Sequence, residues 1–238
     1  MLITLIGYGR MGREVESMAI ARGHEVILRI DKENIDDFDS EIFGKSDVAI
    51  EFTTAGTAFE NITRCLHRGI PVVSGTTGWP DRLPLVKDMV NARGGSFIHS
   101  SNFSIGVNIL FNLSKRLAGI MNDLPAYNVN IREVHHVMKK DAPSGTAIKL
   151  AEDIMTECKR YSSWYPDQAS SDNRIGIKSI REGEVPGTHR IEWDSDIDSI
   201  SIEHKAHSRQ GFALGAVFAA EFIHKHQGVF TMSDILGF

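Results

Sequence analysis

The sequence predicts an α/β protein of two domains, a doubly wound parallel sheet followed by a second unit built on successive β-strands. Three observations carry this reading. The first thirty residues make a complete strand, helix, strand unit around a glycine-rich turn. Strand-like and helix-like segments then alternate to residue 103, and after residue 174 three β-rich segments follow one another without a helix between them. At 238 residues the chain is long for one minimal domain and suits two modest ones.

Leu2 to Ile6 is a short apolar run of the kind shown by a strand buried on both faces, and Gly7-Tyr8-Gly9-Arg10-Met11-Gly12 follows at once. Met11, Val15, Met18 and Ala19 recur at helical spacing until Gly23, after which HEVILRID reads as a second buried strand. In that setting GxGxxG is a dinucleotide fingerprint. Gly7 makes the tight turn, Gly9 lets the backbone approach a pyrophosphate, and Gly12 lets the helix pack close on the strand. The helix start then offers free N–H groups to the phosphates. Asp31 ends the second strand, where a carboxylate can accept from a ribose hydroxyl, which favours NADH. Lys32, with Arg29 nearby, can offset that carboxylate and tolerate the 2′-phosphate of NADPH.

Further along, SDVAIEF, IPVVSG and SFIHSSNF read as strands, with TAFENITRCLHRG and LPLVKDMVNARG as helices between them. Ligands of doubly wound sheets bind at the carboxyl ends of the strands. Thr53 and Thr54, Gly75-Thr76-Thr77 and Ser100 to Phe103 are therefore expected to border one crevice.

Composition limits the alternatives. With 42% hydrophobic and 24% charged residues the chain can bury a proper core, and a net charge of -5 gives no overall pull towards nucleic acid or anionic membrane. Cys65 and Cys158 lack metal-type spacing and read as reduced thiols, which fits a cytoplasmic protein. There is no signal-peptide pattern, and the longest apolar stretch, GFALGAVFAAEFI, is broken by Glu221.

The segment AYNVNIREVHH alternates like a strand, with Val129, Ile131, Glu133 and His135 on one face and His136 on the other. Adjacent histidines on a strand point apart, so no metal site is expected from them. Lys139 and Lys140 alone would read as a solvated turn. Pro143 and Ser144 then open a helix whose apolar face runs through Ala147, Leu150, Ala151, Ile154 and Met155, with Ser144 as N-cap and a start at Ser144 or Gly145. The N–H groups of Gly145 and Thr146 form a carboxylate site there. A histidine, a lysine and a helix start thus converge on one anion.

EVHHVMKKDAPSGTA resembles the signature E-x-H-H-x-x-K-x-D-A-P-S-G-T-A of the dihydrodipicolinate reductase family, and every fixed position is met. GYGRMG, EFTT, GTTG, SSNFSIGVN, IREGEVPGTHRI and HKAHSRQGFALGAV extend the resemblance over the chain. A short stretch after Asp31, where many relatives are longer, is the main departure, and it bears on cofactor preference. The resemblance implies a Rossmann domain in two segments, 1–105 and 210–238, around a substrate-binding and tetramerisation domain, 106–209, with a mixed, largely antiparallel sheet. It implies reduction of 4-hydroxy-tetrahydrodipicolinate with NADH or NADPH, on the way to diaminopimelate and lysine.

By the same resemblance His135 is the acid/base residue, Lys139 the proton donor, His136 a substrate ligand, and Ser144, Gly145 and Thr146 the cradle for a substrate carboxylate. Nucleotide contacts are expected from Gly7, Tyr8, Gly9, Arg10, Met11, Gly12, Asp31, Lys32, Thr53, Gly75, Thr76, Thr77, Ser100, Ser101, Asn102, Phe103 and Arg209. The partner is a small dicarboxylate, and the assembly a homotetramer. Two other readings share the fingerprint: a Rossmann oxidoreductase acting on another amino- or keto-acid, and a non-catalytic NAD(H) sensor. Neither has a use for the HH-x-x-K and SGT stretch.

Overall fold

Strand β1 (Leu2–Ile6) runs into the glycine turn and helix α1 (Arg10–Ala21), and β2 (Glu25–Ile30) returns parallel to β1. The computed structural model describes residues 1–168, 170–171 and 173–238, in two units: residues 1–105 with 210–238, and residues 106–209. In the first unit β3 (Val48–Glu51), α2 (Ala55–His67), β4 (Val72–Ser74), α3 (Leu83–Arg93) and β5 (Ser96–His99) continue the alternation. Helix α2 forms because Ala58, Ile62, Cys65 and Leu66 recur at i, i+4, i+7 and i+8, one buried stripe, and it stops before Gly69 at φ +71°.

The chain then enters α4 (Ile105–Met121), a helix for which the sequence reading gives no expectation. The second unit continues with β6 (Asn128–His135), α5 (Gly145–Glu157), β7 (Ser163–Pro166), β8 (Arg174–Arg181), β9 (Thr188–Asp194) and β10 (Ser199–Lys205). Helix α5 begins at Gly145 with Ser144 as N-cap, its Oγ accepting from the N–H of Ala147.

These strands make one five-stranded sheet in the order β10-β9-β6-β8-β7. The sheet is mixed, as expected, with a specific division. β9 is antiparallel to β6 and β10, whereas β8 is parallel to β6 and β7. The successive β-rich segments are therefore not all neighbours, because β6 lies between β8 and β9. Leu110, Ala118 and Met121 of α4 and Ala147, Leu150, Ala151 and Ile154 of α5 pack on Val129, Ile131, Ile175, Ile177, Ile191 and Trp193 to form its core. On β6 alternate residues are buried, which puts Glu133 and His135 on the core side.

The chain returns to the first unit through α6 (Gln210–Ile223), β11 (Gly228–Phe230) and the short α7 (Met232–Leu236). β11 joins β5, and the completed sheet has the order β11-β5-β4-β3-β1-β2 with every pairing parallel. Val15 and Ala19 of α1 and Ala213, Ala216, Val217 and Ala220 of α6 cover one face, while Ala58, Ile62 and Leu66 of α2 and Val86 and Val90 of α3 cover the other. Strand order reverses between β1 and β3, so a ligand site is expected beyond their carboxyl ends. Glu221, at the end of α6, binds Arg22 at 2.7 Å and His24 at 2.8 Å. No helix among the described residues is long and apolar enough to cross a membrane.

Candidate active site

Two groups of polar residues stand out, one in each unit, and each is arranged around a buried glutamate. In the first unit Gly7 follows β1 at φ +89°, and a Cβ there would lie 2.1 Å from the Phe52 carbonyl oxygen. A Cβ on Gly12 would meet the Gly7 carbonyl oxygen at 2.3 Å, whereas at Gly9 it would meet nothing within 4 Å. Two of the three glycines are thus needed for packing, and the middle one faces open space, as close approach of a phosphate requires. No acidic residue lies in the first turn of α1, and no side chain caps it, so its leading N–H groups and dipole face that space uncompensated.

A cavity of about 340 Å³ is lined by Gly7, Gly9, Asp31, Lys32, Ile35, Thr53, Thr54 and Asn61 among others. A second, of about 240 Å³, shares Phe52 and Thr53 with it and adds Met11, Gly75, Thr76 and Thr77. These residues fit an extended dinucleotide. Glu51, the last residue of β3, organises the floor: its Oε1 accepts from the N–H of Thr53 at 2.9 Å and from Thr76 Oγ1 at 2.6 Å, and its Oε2 from Ser74 Oγ at 2.6 Å. A fully buried carboxylate needs such donors. Nothing in the local pattern EFTT distinguishes that role from an ordinary strand end.

The other expected residues are placed unevenly. Tyr8 and Arg29 both hydrogen-bond Glu16 of α1, so Arg29 is engaged. Lys32 is free of such a clamp, with Glu33 at 4.0 Å and its side chain largely exposed. Arg10 is exposed at the start of α1, and Arg209 is half-buried where the second unit ends. Ser100 to Phe103 line neither of these two cavities. Ser100 Oγ donates to the Asn102 carbonyl, Ser101 is exposed, and the Phe103 ring is buried against Phe52 in the core. A larger cavity, of about 750 Å³, lies elsewhere, lined by Phe38, Phe59, Arg64, Arg68 and Arg82. It contains none of the expected nucleotide contacts, and Arg64 and Arg68 there are paired with Glu60 and Asp39.

In the second unit, strand register assembles the site. Glu133 on β6 lies opposite His189 on β9, and His135 lies beside Arg181 on β8. Glu133 is fully buried. Its Oε1 accepts from the N–H of Ser144 and from Arg181 Nη2, both at 3.0 Å, and its Oε2 lies 3.3 Å from His135 Nδ1 and 3.7 Å from His189 Nε2. Burial alone would raise the Glu133 carboxyl, but the donors around it, His135, Ser144 and Arg181 among them, hold it well below the usual carboxylate range. His189 is lowered too, but by burial, and that leaves it uncharged. Desolvation first, and then the neighbouring His135, press it down to about 3, so its ring is neutral.

The segment after β6 folds back. The N–H of Lys139 donates to the His136 carbonyl at 3.1 Å, and that of Val137 to the Gly183 carbonyl at 3.2 Å. Arg181 then clasps the turn, its Nε bonding the Lys139 carbonyl at 3.3 Å and its Nη2 the Asp141 carbonyl at 2.5 Å. So Lys139 and the start of α5 come back to the strand end that carries His135 and His136. Lys139 Nζ is bound to Asp141, His136 is half-buried, and Gly145 is exposed with open space where a Cβ would be. Sequence reasoning picked out His135, His136, Lys139 and the SGT turn, but not the roles of Glu133, Arg181 and His189. Ligand-type atoms of Glu133, His135 and His189 lie within 4.8 Å of one another, a grouping that the adjacent-histidine argument does not address. Arg181 occupies the other oxygen of that carboxylate, which weighs against a cation there.

The family model described as dihydrodipicolinate reductase, N-terminus, matches residues 1–103, and the one described as dihydrodipicolinate reductase, C-terminus, matches residues 106–236. The 4-hydroxy-tetrahydrodipicolinate reductase of Christiangramia forsetii is 48% identical over 238 residues, covering 99% of this chain and 98% of that one. That of Methanosarcina acetivorans is 34% identical, covering 99% and 89%. Among solved structures, a dipicolinate-bound dihydrodipicolinate reductase from Paenisporosarcina sp. superposes with a TM-score of 0.82 at 23% identity, over 97% of this chain and 98% of that one. An amine dehydrogenase from Mycobacterium smegmatis reaches only 0.61 at 10% identity, over 97% and 94%, so the fold by itself does not decide the substrate. Whole-length sequence identity does: the chain belongs to the dihydrodipicolinate reductase family, the NAD(P)H-dependent oxidoreductases that reduce 4-hydroxy-tetrahydrodipicolinate.

Proposed function

We propose that the first unit holds the nicotinamide nucleotide on its glycine turn and that the second holds the substrate dicarboxylate around His135, His136, Lys139 and the start of α5. The observation that carries this is the folded-back turn, in which Arg181 returns Lys139 and Asp141 to the end of β6. On the nucleotide side, Gly7 to Gly12 meet the phosphates, Asp31 and Lys32 the adenosine ribose, and Thr53 with Gly75, Thr76 and Thr77 the space beyond. Ser100, Ser101, Asn102 and Arg209 are the outer contacts.

The bound nucleotide supplies the hydride. The net reaction replaces the substrate 4-hydroxyl by that hydride and releases it as water, which consumes one proton. Loss of water also takes a proton from the carbon beside the hydroxyl, which His135 moves to the leaving oxygen, and Lys139 returns a proton to the ring after the hydride arrives, so that one proton is consumed in all. His136 and the N–H groups of Gly145 and Thr146 hold a carboxylate, which suits an exposed helix start with an N-cap. A carboxylate bound there explains why basic groups gather in one place in an acidic chain. The dipicolinate in the Paenisporosarcina protein's structure is a ligand of the matching chemistry.

The protein is cytoplasmic and homotetrameric in this reading. Edge strand β10, with Ile200 exposed and Ile197 91% exposed in the turn before it, supports an interface on the second unit. Light scattering during gel filtration tests the assembly. The activity is tested by NAD(P)H oxidation coupled to dihydrodipicolinate synthase, which generates the unstable substrate. No turnover by the intact protein in that assay would overturn the reading.

A further inference from the structure

Glu133 has no place in the roles assigned so far, yet it touches more of the site than any of them. One of its oxygens is saturated by the N–H of Ser144 and by Arg181, each at 3.0 Å. The other, Oε2, is buried 3.3 Å from His135 Nδ1, an ion-pair contact not aligned as a hydrogen bond, and neither atom has a hydrogen bond to any described group. An ionised carboxylate has only lone pairs to offer, so the atom facing it must carry a hydrogen. When the ring carries a single hydrogen, His135 Nδ1 therefore holds it, and Nε2 is left with the lone pair. Gly187 lies against that second nitrogen. A Cβ on Gly187 would sit 3.1 Å from Nε2, so glycine keeps side-chain bulk away from it.

We propose that Glu133 is a positioning residue for the reduction. It fixes His135 in the Nδ1–H tautomer so that Nε2 can exchange a proton with the ligand, and through Ser144 it ties the substrate cradle to the same carboxylate. Both links come from one side chain on the central strand of the sheet, so the distance from the histidine to the start of α5 is set by the length of a glutamate. His189 completes the support. Its ring packs edge-on against that of His135 at 5.0 Å, and its Nε2 lies 3.2 Å from Ser144 Oγ. Second-residue control of a histidine tautomer is a general device for holding an acid/base group in its working state.

The inference rests on the role given to His135 above, and the two can fail separately. In Glu133→Gln the amide oxygen can still accept from Ser144 and Arg181, which turns the NH2 group towards His135 Nδ1. A donor there forces the ring into the Nε2–H tautomer. The expected result in the coupled assay is a kcat lower by about 10²-fold or more, with substrate KM and nucleotide Kd within about threefold of the parent. The ¹⁵N spectrum of histidine-labelled parent protein, with the His135 signals identified by their loss in His135→Gln, should show the Nδ1–H tautomer, and Glu133→Gln should show the other. A parent protein with His135 as Nε2–H overturns the proposal, whether or not the variant folds. So does a Glu133→Gln variant with kcat within about threefold of the parent while His135→Ala is inactive. An active His135→Ala would instead remove the role of His135 on which both readings stand.

Discussion

Lys139 Nζ lies 2.8 and 2.9 Å from the two carboxylate oxygens of Asp141, so the ammonium assigned as proton donor is held by a partner two residues away. Asp141 is also attached through its backbone, where Arg181 takes its carbonyl, so the turn does not depend on the ion pair. A bound dicarboxylate must compete with Asp141 for the ammonium. Asp141→Asn removes that competitor and should lower substrate KM by about 2- to 5-fold, the range expected for a partly exposed ion pair, with kcat little changed. Lys139→Ala should cut kcat by about 10²- to 10⁴-fold with nucleotide affinity kept. A Lys139→Ala enzyme with near-normal kcat and only a higher KM would make the lysine a binding residue.

The two adjacent histidines should separate kinetically, because His135 ends β6 on its buried face and His136 lies just past the strand. His135 is buried beside Glu133, whereas His136 is half-buried. His135→Ala should lower kcat by about 10²-fold or more. His136→Ala should act mainly on substrate KM, as a contact shared by ground and transition states does. Steady-state kinetics with saturating nucleotide checks both.

Acid should weaken the second unit in two stages, and the signs follow from Glu133 and His189. His189 has its folded pKa lowered from 6.5 to about 3, so between those values the unfolded chain binds a proton that the folded one does not. Stability is complete above pH 6.5 and falls with pH by up to about 1.4 kcal/mol per unit. Glu133 is also depressed, from 4.5, so what it contributes is present above pH 4.5 and lost as pH falls further. Urea midpoints at pH 7 and 5 should therefore differ less in His189→Gln than in the parent. An equal difference in both would show that His189 is protonated in the folded protein.

Glycine replacements in the nucleotide turn should fail in different ways. Gly7→Ala puts a Cβ 2.1 Å from a carbonyl oxygen at φ +89°, and should lower the melting temperature and abolish NADH binding together. Gly9→Ala meets nothing in the protein, so it should keep the melting temperature and lose NADH affinity, because its methyl group occupies the approach of the pyrophosphate. Thermal melts with and without NADH distinguish the two.

Cofactor choice should depend on Asp31 and Lys32, since Arg29 is engaged by Glu16. Asp31→Ala should reduce kcat/KM for NADH more than for NADPH, shifting an enzyme that uses both towards the phosphorylated form. Equal losses for the two would remove Asp31 from the adenosine site.

Local pattern alone was enough for the parts of this protein whose physics is local. The apolar run before GYGRMG and the helical spacing after it determine a strand, turn, helix unit, and the clashes at Gly7 and Gly12 are what that turn demands. Alternation along NVNIREVH puts Glu133 and His135 on one buried face, and the Ser144 N-cap with its apolar stripe starts α5 at Gly145. Helix α4 was illegible for a local reason too. Its buried apolar positions, Val107, Leu110, Ala118 and Met121, are interleaved with the exposed Ile109, Leu113 and Ile120, which blurs the apolar stripe. Partnership between distant segments is a different matter. Alternation says which face a residue occupies but not which strand lies beside it, and only the insertion of β6 between β8 and β9 brings Glu133 to His189 and His135 to Arg181. The same holds for Glu51, whose donors come from the ends of two strands. A buried carboxylate is tolerable only where its donors converge, and convergence across tens of residues is fixed by strand pairing and core packing, which no short stretch of the chain contains.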